Sequence, residues 1–167
     1  MALYRASVDW ALPEGEDFAK GRYSRGHAVA FEEGPQVRGT ASAHVVGNKW
    51  AETGAVDPEQ LLVASASACH MLSFLHAARL AGFVVTRYRD AAEGLMEKNA
   101  EGRIAITRIA LRPEIVWEGR TPDPAELDHL HHEAHDACYI ANSVKTEIVV
   151  EKSAQDAPVQ GELSRSD

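Results

Sequence analysis

The pattern of hydrophobic and polar positions divides the chain into strand-like and helix-like segments. Three short stretches, residues 3–12, about 20–31 and 37–46, carry Tyr, Val, Phe and Trp between turns rich in Gly and Pro, such as EEGPQVRG. Aromatic and β-branched residues bounded by such turns are typical of strands. The first third of the chain is therefore predicted to form a β-meander.

The pattern changes where DPEQLLVASASACHMLSFLHAARLAG begins, at residue 57. Asp57 suits the N-cap, Pro58 the first turn and Gln60 the capping-box position, and Gly82 is a natural C-terminal stop. The segment predicts a helix that is apolar on nearly every side, so it needs cover on nearly every side. Because a chain this short cannot supply all of that cover, we expect a homodimer with a largely hydrophobic interface.

The second half of the chain predicts two strands, a helix and a last strand. Segments 83–97 and 103–118 alternate in part between apolar and polar residues and are joined by KNAEG, so they predict an antiparallel pair. DPAELDHLHHEAHDAC repeats the earlier helix-start pattern, with Asp123 as cap and Glu126 at the box position. It predicts a helix that ends at Cys138, and SVKTEIVVE predicts the final strand.

This order of elements predicts an α+β fold with antiparallel sheets and two main helices. The chain has 167 residues, so we expect a single domain over residues 1–152. Residues 153–167 are polar and are expected to form a disordered tail.

Charge and composition exclude several classes of partner. The formal net charge of −8 would repel nucleic acid and anionic membrane surfaces, so neither is an expected partner. Ser, His and Arg interrupt segment 57–82 too often for a span in lipid. The first ten residues, MALYRASVDW, carry Arg5 and Asp9 without an apolar region, which does not fit a secretory signal. We expect a cytoplasmic protein.

The two cysteines, Cys69 and Cys138, are the main candidates for chemistry. In a reducing compartment a permanent disulfide is not expected, which leaves packing thiols or redox and nucleophilic work. Free cysteine is often simply buried. Cys69, however, shares a helical face with Ser65, Ser73 and His76, which is less apolar than a core requires. Both interpretations stay open at this point.

The remaining motifs do not indicate a cofactor. Histidines 129, 131, 132 and 135 form a run, but HHEAH is one residue short of the H-E-x-x-H zinc pattern, and a surface run is favoured over a metal site. Neither G-x-G-x-x-G nor G-x-x-x-x-G-K-[ST] occurs, so no nucleotide is indicated. We expect no cofactor and no metal.

Two segments resemble those of a known family. PEQLLVASASAC at 58–69 and AHDACYIANSVKTEI at 134–148 are similar to the OsmC/Ohr family of thiol-dependent hydroperoxide reductases. The resemblance covers about residues 20–150 with the elements in the same order. It implies an OsmC-like α+β fold and an intertwined homodimer in which the long central helices pack together.

The resemblance also implies roles for the cysteines. Cys69 matches the family's peroxide-reacting cysteine and Cys138 its resolving cysteine. The implied reaction forms a sulfenic acid on Cys69, which Cys138 converts to a disulfide. An external dithiol reductant then restores the thiols, and a lipoyl-type dithiol is one candidate. Tyr139 follows Cys138, where the organic-hydroperoxide branch has proline, so the chain resembles the OsmC-like branch more closely.

Two charged residues complete the implied site. Glu59 matches the family's active-site glutamate, and Arg25 in YSRGHAVAF is the best match to its arginine, with Arg22 and Arg38 as alternatives. An arginine would favour the thiolate, which is the reactive form, and Glu59 would position that arginine. Ten residues of helix separate Glu59 from Cys69 by about 15 Å. We therefore expect each site of the dimer to combine cysteines from one subunit with Glu59 and Arg25 from the other.

The predicted function is reduction of organic hydroperoxides or hydrogen peroxide. The alternative is a non-enzymatic dimer, structural or binding a small molecule, in which the thiols are inert. Acyl transfer through Cys69 and either His70 or His76 is less favoured, because no third group is identified that would orient the histidine.

Overall fold

The computed structural model describes residues 1–32 and 34–151. Over these residues the elements form an α+β fold, which confirms the predicted fold class. Two compact units are present, one of residues 1–62 and one that starts at residue 63. The prediction of one domain over 1–152 stays a prediction. The predicted tail, 153–167, lies outside the described residues.

The first unit contains an antiparallel sheet of three strands, in the order β1-β2-β3. These strands are β1 (Ala6–Asp9), β2 (His27–Phe31) and β3 (Gln36–Gly39). Val29 pairs with Val8 on one side and with Val37 on the other. The predicted meander is confirmed.

All three predicted strands of the meander are shorter than their sequence pattern indicated, and β1 occupies only residues 6–9 of the stretch 3–12. The strand expected from about residue 20 begins at His27, because Asp17 and Arg22 exchange backbone hydrogen bonds of 3.0 and 2.9 Å in a tight turn. The strand expected over 37–46 ends at Gly39. A short helix follows instead, α1 (Ala43–Val46), which Ser42 caps by accepting a hydrogen bond from the His44 N–H at 3.3 Å.

Helix α2 (Pro58–Leu80) confirms the long apolar helix. The predicted capping box is present: the Gln60 N–H donates to Asp57 at 2.8 Å, and the Asp57 N–H donates to the Gln60 amide oxygen at 3.1 Å. The helix ends just before Gly82, whose φ of +80° is a conformation that favours glycine. The helix is long and apolar enough to cross a membrane, a test that the core helix of a soluble protein also passes.

The second unit holds five strands and the third helix among the residues described. They are β4 (Val84–Asp90), β5 (Glu93–Lys98), β6 (Ile104–Leu111), β7 (Pro113–Glu118), α3 (Pro124–Ala137) and β8 (Glu147–Val150). Strands β4 and β7 form one antiparallel pair, and β5-β6-β8 form a second sheet. The β6–β8 pairing is parallel, in contrast to the antiparallel arrangement expected throughout.

The predicted pair of long strands is broken into two pairs at a shared corner. Segment 83–97 divides between β4 and β5, and segment 103–118 divides at Arg112 between β6 and β7. At this corner the Asp90 carboxylate accepts the Arg112 backbone N–H at 2.6 Å. Pro113 follows immediately and has no backbone N–H to donate to a neighbouring strand. Both segments therefore turn together, from one sheet into the other.

The core of the second unit lies between the two long helices and the β4–β7 pair. Phe74, Ala77 and Ala78 of α2 pack with Leu130 and Ala134 of α3 and with Phe83. Partly buried side chains of the strands and of α3 complete this core, namely Val85, Tyr88, Ile115, Trp117 and Leu127. This packing fixes α3 against α2.

Candidate functional site

Both cysteines lie in the second unit and are neighbours. Cys69 is half-buried in the middle of α2, whereas Cys138 is buried, with 1% of its surface exposed. Cys69 lies close enough to Cys138 to act on its ionisation, and both are free thiols. The structure therefore brings together the two cysteines that the sequence singled out, in a reduced state.

Cys138 is held at the C-terminal end of α3. It is the C-cap residue, and its N–H donates to the carbonyl of His135 at 3.1 Å. The following 3₁₀ turn, Ala141–Ser143, folds back, and the Asn142 N–H donates to the Cys138 carbonyl at 3.0 Å. These local bonds fix the backbone on both sides of the sulfur.

The surroundings of Cys138 act on its ionisation in both directions. Burial raises the pKa of the Cys138 thiol, and the neighbouring Cys69 side chain raises it further. The backbone N–H groups of Ala141, at 3.4 Å from the sulfur, and of Ile140 favour the thiolate. Cys138 therefore stays protonated at neutral pH, with two N–H donors already aimed at the charge that ionisation would create.

The first unit contains a cavity of about 420 Å³. Its walls include Trp10, Phe18 and Tyr23, whose rings pack with centroid separations of 4.7 to 6.0 Å. Arg25 and Glu59 also line it. A volume of this size and a mostly apolar wall with a few polar groups suit a small organic molecule.

Arg25 is fixed at this cavity by its neighbours in the sequence. Its guanidinium lies 3.5 Å from the centroid of the Tyr23 ring and donates to the Gly21 carbonyl at 3.4 Å and to the Tyr23 carbonyl. Among the described residues these contacts, rather than an ion pair with Glu59, hold the guanidinium. The predicted positioning role of Glu59 stays a prediction.

The other two candidate arginines are placed differently. Arg38 forms two hydrogen bonds with the Glu52 carboxylate, at 2.9 and 2.5 Å, and this pairing lowers the pKa of Glu52. Arg22 is exposed and belongs to the turn with Asp17. Of the three, Arg25 is the one that shares a cavity with Glu59.

Comparison with known proteins identifies the family. The family described as OsmC-like protein matches residues 51–153. An OsmC-like protein of unknown function from Vibrio cholerae is 40% identical, with a TM-score of 0.88, over 92% of this chain and 100% of that one. The chain belongs to the OsmC/Ohr family. No curated protein matches it.

More distant OsmC/Ohr structures share the fold. An organic hydroperoxide resistance protein OsmC from Legionella pneumophila is 22% identical, with a TM-score of 0.62, over 91% of this chain and 97% of that one. The organic hydroperoxide resistance protein OhrB of Bacillus subtilis is 14% identical, with a TM-score of 0.63, over 91% of this chain and 98% of that one. Family membership favours a soluble protein.

The histidine run of this OsmC-like chain divides between surface and interior. His129 and His132 are exposed and lie 3.4 and 3.5 Å from Glu133 and Asp136, as expected for a surface run. His131 instead points inward and bonds to a buried histidine of α2. Within residues 1–32 and 34–151, no three His, Cys, Asp or Glu side chains are grouped as metal ligands.

Sequence reasoning missed this inward histidine and the aromatic cavity wall. Leu127, Leu130, Ala134 and Cys138 recur at helical spacing, and His131 lies within the same stripe. That periodicity could have separated His131 from the rest of the run. Nothing comparable marks Trp10, Phe18 and Tyr23, because only the folded chain brings their rings together.

Proposed function

We propose that this protein is a cysteine-based peroxidase that reduces hydroperoxides through Cys69 and Cys138. The observation that carries the proposal is the contact between a half-buried free thiol on α2 and a buried free thiol at the end of α3. Membership of the OsmC/Ohr family supports it. Two adjacent thiols are what a sulfenic acid needs in order to be resolved within one chain.

In the first step the Cys69 thiolate attacks one oxygen of the hydroperoxide. An S–O bond forms and the O–O bond breaks, so the sulfur loses two electrons and the alkoxide or hydroxide leaves with them. The leaving group takes a proton, and Cys69 becomes a sulfenic acid. Arg25 favours the thiolate and stabilises the charge that develops on the leaving oxygen.

In the second step Cys138 gives up its proton and its sulfur attacks the Cys69 sulfur. The S–OH bond breaks, and the leaving hydroxide takes up that proton and departs as water. The N–H groups of Ile140 and Ala141 support the thiolate during this attack, which offsets the unfavourable effect of burial. The resulting disulfide closes the oxidative half of the cycle. An external dithiol, of which the lipoyl type is one candidate, reduces it by thiol–disulfide exchange.

The active protein is proposed to be a cytoplasmic homodimer with composite sites. The exposed face of α2 carries Ala64, Ala68, Leu72 and His76 at four-residue spacing, and Leu72 is 64% exposed. A second copy would cover this face. With the central helices antiparallel, the cavity that contains Arg25 and Glu59 in one subunit would serve the cysteines of its partner. Its apolar wall would then receive the organic part of the substrate.

Stopped-flow oxidation of the reduced protein tests the proposal. Hydrogen peroxide and a bulky organic hydroperoxide are compared side by side, with disulfide formation followed by mass spectrometry. We expect rapid, stoichiometric loss of both thiols. Slow reaction with every hydroperoxide, at the rate of a buried unreactive thiol, would contradict the proposal and favour a binding or structural dimer with inert thiols.

A further inference from the structure

A pair of histidines, one buried and one half-buried, joins α2 to α3 beside the cysteines. His70, which follows Cys69 in α2, is 1% exposed, and its Nε2 lies 3.1 Å from Nδ1 of His131 in α3. The two rings are nearly parallel, with centroids 5.4 Å apart, and the Phe74 ring lies 4.5 Å from that of His131. The pair is thus a polar link inside an otherwise apolar contact between the two helices.

This link is not explained by stability alone. His70 Nδ1 is buried and has no hydrogen-bond partner among the described residues. A buried ring nitrogen without a partner costs about 1–3 kcal/mol, so an apolar pair of similar shape would hold the helices together at least as well. What the histidines add is a directional bond that fixes the position of α3 against α2, and a response to protons.

We propose that the His70–His131 bond is a positioning contact that holds the end of α3, and with it Cys138, beside Cys69, and that protonation of the pair releases this end. The inference rests on the proposed function, because it concerns the step in which Cys138 attacks oxidised Cys69. His131 and Cys138 are two helical turns apart on α3, on the face that packs against α2. Loss of the bond therefore frees the segment that carries the second thiol.

The groups around the pair favour its neutral form. Burial lowers the pKa of His70 and of His131 from 6.5 to about 4. Positive charge on His131 or His135 would lower the pKa of His70 further. Two carboxylates act in the opposite direction: Asp90 of β4 raises the pKa of His70, and Asp128 of α3 raises that of His131. Tyr88 of β4 is partly buried, and burial raises its pKa, so it stays neutral.

The sign of the pH effect follows from these shifts. In the released state, in which the His70–His131 bond is broken, both rings meet water and recover a pKa near 6.5. Between pH 6.5 and 4 this state therefore binds more protons than the closed state, in which the bond is intact. Acid in this range therefore favours release, and neutral pH favours the closed contact. Between pH 7 and pH 5 the equilibrium for release rises about 20-fold for each histidine involved.

The first test measures positioning at pH 7. His131→Ala should slow formation of the Cys69–Cys138 disulfide by about tenfold or more, because small misplacements of reacting groups are costly. His70→Gln/His131→Asn replaces the ring pair by an amide pair that cannot titrate, and it should restore the rate to within about threefold of wild type. His132→Ala, an exposed neighbour, is the matched control and should leave the rate unchanged.

The second test measures release directly by hydrogen exchange of the α3 amides in the reduced wild-type protein. After correction for intrinsic exchange, their protection should fall from pH 7 to pH 5 in wild type but stay constant in His70→Gln/His131→Asn. A wild-type rate of disulfide formation in His131→Ala, or an equal loss of protection in the double variant, would overturn the inference.

A parallel oxidation with diamide separates the two proposals. If diamide forms the disulfide at rates that differ among the variants as expected, while hydroperoxides form no disulfide, the positioning role stands and the peroxidase function fails. If the variants do not differ with either oxidant, the positioning role fails, whatever the outcome for peroxide.

Discussion

The two sulfurs have different surroundings, although they are neighbours. Cys69 is half-buried, so an incoming molecule can reach it, whereas Cys138 is covered and keeps its proton because burial raises its pKa. A thiol that stays protonated is a poor first nucleophile. It can still attack once oxidation has placed an electrophilic sulfur next to it. The difference in burial supports the proposed roles, with Cys69 as the peroxide-reacting and Cys138 as the resolving cysteine.

Serine variants test this division of roles. We expect Cys69→Ser to abolish hydroperoxide consumption, because the attacking sulfur is gone. Cys138→Ser should permit one oxidation and then stall at the sulfenic acid or a more oxidised state, which mass spectrometry of the intact protein detects. Equal residual turnover in both variants would rule out the two-cysteine mechanism.

Arginine variants test which cation supports the chemistry. Arg25 lines the aromatic cavity, whereas Arg38 is engaged with Glu52. Arg25→Ala should lower kcat/KM for a hydroperoxide by about tenfold or more, since it removes a charge that acts on the thiolate and on the leaving oxygen. Arg38→Ala is the control, and we expect less than a threefold change. A larger loss of kcat/KM in Arg38→Ala than in Arg25→Ala would mean that Arg38 is the arginine of the site.

The sequence predicted the candidate site in part. Cys69 and Cys138 stood out because one lies in the long apolar helix and the other ends the second helix, whereas Glu59 and the roles of both cysteines were named from the resemblance to the OsmC/Ohr family. Arg25 could not be separated from Arg22 and Arg38 by sequence, since the difference lies in what each side chain meets after folding. An ion pair with Glu52 and a shared cavity are long-range features, and no local pattern encodes them.

Among the elements, α3 is central to both proposals, because it carries His131 and ends at Cys138. Its start is fixed by a complete capping box: Asp123 accepts the Glu126 N–H at 2.9 Å, and Glu126 accepts the Asp123 N–H at 3.0 Å. Arg120 also bonds both carboxylate oxygens of Glu126 at 2.9 Å. The N-terminal anchor of α3 thus lies at the opposite end from the chemistry.

A change at this anchor should affect stability rather than chemistry. Asp123→Ala removes the N-cap acceptor and should lower the free energy of unfolding by about 1 kcal/mol. Asp123→Asn keeps an acceptor and should cost only a few tenths of that value. Urea unfolding measures both. Equal losses in the two variants would show that the carboxylate charge, rather than the hydrogen bond, is what matters.

The fold prediction was accurate where an element depends on interactions between residues close in sequence, and inaccurate where it depends on residues far apart in sequence. Both capping boxes were predicted, because a cap is decided within four residues. The break of the long strands at Asp90 and Arg112 was not, because it depends on a hydrogen bond between residues 22 positions apart. The parallel pairing of β8 with β6 was missed for the same reason. Local chemistry determined the helices, and long-range pairing determined the sheets.

On the scale of the whole molecule, the central question is what covers α2. The mean hydropathy of the helix is that of a membrane span, yet only 28% of its most apolar stretch is buried by its own chain. A row of small and apolar side chains on one face lets another helix approach closely. A second copy that lies against this face would complete the core and bring a partner's cavity to the cysteines. The proposed dimer thus links folding to catalysis.

Subunit exchange tests this link. Cys69→Ser and Arg25→Ala proteins, each inactive or weak alone, are mixed under conditions that allow exchange. If each site takes its cysteines from one subunit and its arginine from the other, every heterodimer regains one intact site. Statistical exchange makes half of the dimers heterodimers, so activity should reach about a quarter of the wild-type level.

The matched control for this experiment mixes Cys69→Ser with Cys138→Ser. Because both cysteines of a site come from the same chain, no combination of these two variants contains a complete pair, and turnover should not recover. Native mass spectrometry verifies exchange in both mixtures. Recovery in the control would mean that the disulfide forms between subunits. No recovery in the first mixture, despite verified exchange, would mean that each site belongs to one chain or that Arg25 is the wrong arginine.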